Sequence, residues 1–317
     1  LIGFAFRDYG LEELLEATQD ADRLARICER ARSAVRLFET LVKRDSDRAA
    51  SHPKAPRIAV ELTQQRRMHP VICHVVSRAF YGDRLQSSDV AEAFFAENPR
   101  PFTHSLAGMP SAPVVWVDLP YVQVKGGAGE QTPRFHNPAE RAAVMAVLKQ
   151  VRAGAGEKKP SLAVLSPYQR QADRLLRAIE DGRKGSLAHL EGFRSASSTG
   201  ARAGTVDAFQ GSEADLVVIS LVRNNGEHGA GALGFLRDAR RMNVLLSRAR
   251  WQLVLVGSRD FFRAQSRQYG KGSIGGPEVG CIRTLMEIFD ALEQESLPDG
   301  TPKFSMIPAA TLLGRQA

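Results

Sequence analysis

The sequence predicts an α/β fold built on a parallel sheet, and three observations carry that expectation. Short runs rich in Val, Ile and Leu recur at residues 57–62, 114–119, 161–165, 216–222 and 252–256. The last two are apolar on consecutive positions, as strands buried on both faces are. Stretches of helical spacing, about 10 to 15 residues long, separate the runs, which is the signature of repeated strand–helix–strand units. Helix-start signals stand just after strand ends: Pro70 follows QQRRMH, and Asn137, Pro138 and Glu140 form a cap, a first-turn proline and an acidic third position.

The elements follow in order. Residues 11–42 have a charged helical pattern, and 46–56 form a polar, proline-bearing linker. One or two helices are expected there, incompletely buried on their own. Residues 57–62 (RIAVEL) are the first expected strand, leading through TQQRRMHP into a helix to about residue 80. Residues 83–113, with their Gly and Pro, are expected to be an irregular surface excursion. A second strand at 114–119 precedes a Gly-rich stretch at 121–133. The helix AERAAVMAVLKQV, a loop at 154–160 and a third strand at 161–165 come next. SPYQRQ then opens a helix to about residue 179, and 181–204 is a basic excursion rich in Gly and Ser.

The unit TVDAFQGSEADLVVISLVRNN and GFLRDARRMNVLLSRARWQLVLVG organises the rest. Its two strands flank a helix expected over 238–250, with Met242, Leu245, Leu246 and Ala249 apolar and Arg240, Arg241, Arg248 and Arg250 among its polar positions. In open α/β sheets ligands bind where strand ends and loops form a crevice. A helix from residue 258, a Gly-rich turn at 269–276 and an amphipathic helix at 281–293 complete the pattern. There is no internal repeat.

The totals bound the partners. The chain has 317 residues and a formal net charge of +8, with 43% hydrophobic residues. That suffices for a large α/β domain, and the basic balance suits phosphate polyanions without proving them. No apolar run approaches the roughly 20 residues of a membrane-spanning helix. Cys28, Cys73 and Cys281 lie far apart, without metal or CxxC spacing. A reducing compartment, cytoplasmic or nuclear, is therefore expected, with no metal site and no secretion. The start, LIGFAFRDYG, reads as the cut edge of a longer protein.

Four motifs could carry chemistry. QQRRMHP sets Arg66 and Arg67 at a strand end, where a guanidinium fork can reach a phosphate, or where a pair of arginines is simply solvated. TVDAFQGSEAD groups Thr205, Asp207, Gln210 and Glu213 around Gly211; it suits sugar-phosphate contacts or a polar turn with local caps. RRMNVLLSRAR places Arg241 and Arg248 two helical turns apart, either as ligands or as snorkelling side chains. SPYQRQ offers Ser166 to a phosphate and Tyr168 to a base, although a lone Tyr also serves as packing.

The order of QQRRMHP, HNPAERAAVMAVLKQV, AVLSPYQRQADRLL, TVDAFQGSEADLVVISLVRNN and GFLRDARRMNVLLSRAR resembles the C-terminal motor domain of superfamily 1 helicases over residues 57–260. The group it looks like is the nonsense-mediated-decay type, with its Okazaki-fragment-maturation and bacterial relatives. The resemblance implies a RecA-like parallel sheet with helices on both faces. It implies ATP and Mg²⁺ as cofactors, the metal held mainly by a first motor domain, and single-stranded DNA or RNA as partner. Arg67 and Arg248 correspond to arginine fingers on the γ-phosphate. Gln65, Arg66, Gly211 and Glu213 correspond to the nucleotide cleft, and Ser166, Pro167, Tyr168 and Thr205 to strand contacts.

This chain departs from the family pattern. Arg66 stands where the family has a Tyr over the adenine, and Ser247-Arg248-Ala249-Arg250 replaces T-R-A-R. No GxxxxGK[ST] or DExx-type motif occurs; Gly154-Ala-Gly-Glu-Lys-Lys lacks the pattern. The expected organisation is a helical tail of a first motor domain at 1–56, the motor domain at 57–295 and a C-terminal tail at 296–317. An ATP-dependent helicase is the expected enzyme, with the fragment alone inactive. The alternatives are a RecA-like binding module without turnover, or the helicase part of a nuclease–helicase fusion.

Overall fold

The computed structural model describes residues 44, 46–48, 50–52, 62–104, 109–122, 129–131, 135–156, 158–197, 199–209, 211–227, 230–268 and 280–314. The chain divides into two compact units, Leu1–Leu62 and Thr63–Ala317. In the first, residues 44, 46–48, 50 and 51 are helical and exposed. The helical pattern at 11–42 lies outside the described residues, and so does the strand expected at 57–62 except for Leu62, which is exposed and outside any strand.

The second unit is built on a parallel sheet. Its strands are β4 (Val114–Asp118), β6 (Ser161–Ser166), β7 (Arg194–Ser195), β8 (Ala203–Thr205), β9 (Ala214–Ser220), β10 (Ala249–Gly257) and β11 (Phe304–Pro308). Their order is β11-β4-β10-β9-β6, with β7 and β8 sharing the outer edge of β6, and every pairing is parallel. Short strands lie apart: β1 (Gln64–Gln65) pairs with β2 (Gln86–Ser87), and β3 (Phe102–His104) pairs antiparallel with β5 (Val151–Ala153).

Side chains alternate across a strand, so each apolar strand feeds two cores. Val217, Ile219, Leu253, Leu255 and Trp116 enter one, packed against α1 (Pro70–Phe80), α6 (Ala239–Leu246) and α8 (Gly280–Leu292). Leu216, Val218, Val254, Val256 and Val115 enter the other, with α3 (Pro138–Gln150) and α4 (Gln169–Gly182). This is the expected RecA-like arrangement, helices on both faces of a parallel sheet. Between them lie α2 (Asp89–Glu97), α5 (Ala230–Leu233) and α7 (Arg259–Gln268), and α9 (Ala309–Leu313) follows β11. Truncating a fully buried Leu253 to Ala would cost about 2–5 kcal/mol.

Three local expectations are corrected. The helix expected over 238–250 ends at Leu246, and Ser247 N–H closes it on Asn243 O at 3.0 Å. Arg248 lies in the turn and Arg250 in β10, because Ala214 N–H takes Arg248 O at 3.0 Å and His69 N–H takes Arg250 O at 2.7 Å. Backbone pairing wins over helical spacing. The stretch at 83–113, expected to be irregular, holds α2 with Ser88 as N-cap, then β3. Residues 296–317, expected as a tail, supply β11, which pairs with β4 from Phe304↔Val114 to Pro308↔Asp118.

Among the described residues no helix is long and apolar enough to cross a membrane, and no group of three or more His, Cys, Asp or Glu is placed to hold a metal ion. Cys73 and Cys281 are buried thiols, while Cys28 lies outside the described residues.

Candidate functional site at two ends of one sheet

The strand registers separate the candidate residues into two groups. Thr205 pairs with Ser166 at the C-terminal end of β6. Leu216 pairs with Leu162 at its start, so the loop 206–213 runs from one end of the sheet to the other. Thr205 and Glu213 therefore face opposite ends, where a single crevice was expected.

At the N-terminal end, QQRRMHP is shaped by Gln65. Its Oε1 accepts Arg67 N–H at 2.8 Å and Met68 N–H at 2.7 Å, and its Nε2 donates to Ser87 Oγ at 2.8 Å and Met68 O at 3.0 Å. The amide is spent on the turn itself. Buried Met68 anchors that turn, and His69 caps α1 by accepting Val71 N–H on Nδ1 at 3.2 Å. Burial first, then Arg100, pushes His69 down to about 4, so a neutral ring does the capping.

The turn delivers Arg67 to Glu213, Nε to Oε2 at 2.7 Å, with both side chains about half exposed at 42% and 46%. Glu213 is positioned by Gly211, whose φ of +84° is open to glycine and costly for other residues, and by Ser212 N–H on Phe209 O at 3.0 Å. Arg248 is clamped to backbone: Nε donates to Val244 O and Nη1 to Ser212 O, each at 2.9 Å. Burial lowers its pKa; Arg67 lowers it further and Glu213 opposes both. The cluster thus gathers two guanidinium groups around one carboxylate.

Other arginines sort differently. Arg66 is exposed at the outside of the turn. Arg241 stays on α6, 4.3 Å over the Phe235 ring and 3.7 Å from Asp238, so it does not share a face with Arg248. Arg250 lies 5.0 Å over Phe94 beside a cleft of about 540 Å³ that Lys158, Lys159 and Arg194 also line.

At the C-terminal end the structure places Ser166 and Pro167 inside the protein, with Ser166 Oγ accepting Tyr168 N–H at 3.3 Å. Tyr168 is half buried; its hydroxyl accepts Phe235 N–H at 3.2 Å and its ring meets Phe135 edge-on at 5.3 Å. Thr205 Oγ1 accepts Ala208 N–H at 3.4 Å. Gln210 lies outside the described residues.

Sequence reasoning missed the buried acids behind this end. Glu140, read only as a capping position, is fully buried; Oε2 accepts Ser220 Oγ at 2.6 Å and Val222 N–H at 2.7 Å. Burial pushes its carboxyl up to about 8, against those hydrogen bonds. Val222 has a φ of +72°, unusual for a β-branched residue and strained by roughly 1–3 kcal/mol. Beyond it, Arg223 Nε makes a charge contact with Glu130 Oε1 at 2.9 Å, both side chains 3% exposed, and its Nη2 donates to Gly231 O at 2.9 Å. Glu130 also accepts Asn224 N–H and, at 2.7 Å, Asn225 Nδ2. The polar run VRNN straight after an apolar strand was the available signal.

Comparison with known proteins identifies the family of the chain. The chain is 30% identical over 200 residues to the regulator of nonsense transcripts 1 homolog of Neurospora crassa, covering 63% of this chain and 16% of that protein. It is 30% identical over 220 residues to the DNA polymerase alpha-associated DNA helicase A of Saccharomyces cerevisiae, covering 66% and 29%. To the ATP-dependent helicase NAM7 of the same yeast it is 28% identical over 201 residues, covering 63% and 19%. The chain spans less than a third of the length of these relatives. The family described as AAA domain matches residues 34–260. With well over half of its length matched, the chain belongs to that family and carries the RecA-like motor fold of the nonsense-mediated-decay type of superfamily 1 helicase.

Proposed function

We propose that this chain is the second motor domain of an ATP-dependent nucleic-acid helicase and supplies arginine fingers to a nucleotide held by a partner RecA-like domain. The observation that carries the reading is the cluster of Arg67, Glu213 and backbone-clamped Arg248. Two guanidinium groups held side by side repel each other, and Glu213 offsets only part of that. A phosphate between them would relieve the repulsion, so the residues present fit the triphosphate end of ATP.

ATP with Mg²⁺ supplies the hydrolysable phosphoanhydride. Clamped by Val244 and Ser212 carbonyls, Arg248 presents its fork with little reorganisation, which favours charge that develops only in the transition state. Arg67, released from Glu213, joins it, and Glu213 is then free to accept from the ribose hydroxyls. At the opposite end Tyr168 and Thr205 form the edge along which a single strand of DNA or RNA lies.

The test has two arms. The purified chain is assayed for phosphate release with and without single-stranded RNA or DNA, and turnover stays at background because no GxxxxGK[ST] loop is present. In the helicase containing both motor domains, turnover is strand-stimulated and collapses with Arg248→Ala. Turnover by the chain alone that Arg248→Ala leaves intact would sink the reading. The alternative, a RecA-like binding module without turnover, would show strand binding with no stimulated hydrolysis in a protein that holds both motor domains.

A further inference from the structure

Helix α4 starts at Gln169, the residue after Tyr168, and buries Ala172, Leu175 and Ile179. Its outer side carries Arg170, Arg174 and Arg177, spaced four and three residues apart, which aligns them in one stripe of about 10 Å. Arg141, from the first turn of α3, joins the stripe across a groove of about 780 Å³.

The two helix starts are tied together from beneath. Gln171 Oε1 accepts Asn137 N–H at 3.0 Å, and its Nε2 donates to Asn137 O at 3.2 Å and to Ser220 Oγ at 2.8 Å. Glu140, adjacent to Arg141, is fastened to Ser220 and Val222. The buried network therefore fixes Arg141 beside Arg170 and Arg174. Neither acid in the groove cancels this charge by pairing. Asp173 accepts Gln169 Nε2 at 2.7 Å, and among the described residues neither Asp173 nor Asp181 forms an ion pair with any of the four arginines. Burial and then the three neighbouring guanidinium groups hold Arg174 below the ordinary arginine range.

From this groove of four arginines, on the helix that starts directly after Tyr168 and the first turn of α3, we infer a second binding surface for the phosphate backbone of a single strand. It carries the strand outward along α3 and α4 after it leaves the sheet end. Forked guanidinium groups at helical spacing grip successive phosphates with no base contact, so the surface is blind to sequence. The inference rests on the strand-binding reading given above and extends it to a longer footprint.

The experiment compares the whole chain with the variant Arg170→Gln/Arg174→Gln/Arg177→Gln. Fluorescence anisotropy follows oligothymidylates of about six and about twenty nucleotides over a salt series. Wild type gains affinity with length. In the variant the short strand binds as in wild type, the gain with length is lost, and the salt slope for the long strand is shallower by about 2. The triple Arg→Lys variant keeps the charge and most of the slope, and thermal melting confirms that all three proteins fold. An unchanged length gain and slope in the Gln variant would overturn the inference alone. Failure of wild type to bind the short strand would overturn the strand-binding reading and the inference with it. A blunt duplex losing as much affinity as the long strand would overturn the single-strand assignment.

Discussion

Arg67 and Glu213 form an ion pair at 2.7 Å between the turn that starts α1 and the loop that enters β9. Arg248 lies against the same loop through Ser212 O. If these arginines act as fingers, Arg67→Lys and Arg248→Lys in a protein that holds both motor domains lower kcat about 10³-fold or more, with KM for ATP changed far less. Lys keeps the charge and loses the planar fork. Steady-state ATPase assays check this, and near-normal kcat in Arg248→Lys would remove the finger role.

Arg66 is exposed beside that cluster. A guanidinium plane lying on a base contributes about 0.5–2 kcal/mol, at most a few tens of fold in affinity. Arg66→Ala should raise KM for ATP several-fold with kcat nearly kept, and Arg66→Tyr should restore it. An unchanged KM would leave Arg66 a surface residue.

Glu140 sets a pH dependence of stability. Its folded value of about 8 lies above its ordinary 4.5, so the folded state binds the proton more tightly than the unfolded chain. The contribution is complete below pH about 4.5 and is lost as pH rises through about 8. Melting at pH 5 and pH 8 should show wild type losing several degrees more than Glu140→Gln, at about 2–4 °C per kcal/mol. Equal losses would show that Glu140 is ionised in the folded protein throughout.

Gly234 lies against Tyr168, at the C-terminal end of the sheet. A Cβ there would meet Arg223 Nη1 at 2.5 Å and Tyr168 Oη at 2.8 Å, and its φ is +53°. Gly234→Ala should cost about 1–3 kcal/mol and weaken strand binding. Under the proposed function, nucleotide affinity in a protein that holds both motor domains should stay, because Arg67 and Arg248 lie at the other end. Weakened ATP binding with strand binding intact would contradict the two-ended arrangement.

What the sequence determined by itself was local. Apolar runs marked β4, β6, β9 and β10 because a strand buried on both faces must be apolar throughout. Asn137 and Pro138 marked the start of α3 because a helix end must satisfy its own N–H groups. Strand β11 escaped notice because an edge strand needs only Phe304 and Ile307 inside and leaves Met306 in solvent. The motif order was legible and pointed to Arg67, Glu213 and Arg248. Their meeting was decided by parallel register and by the Gln65 turn. The tertiary structure alone decided that Arg248 leaves its helix, that Glu140 is a buried acid, and that Thr205 and Glu213 face opposite ends of the sheet. Each depends on partners tens to hundreds of residues away, whose burial and backbone pairing outweigh local spacing.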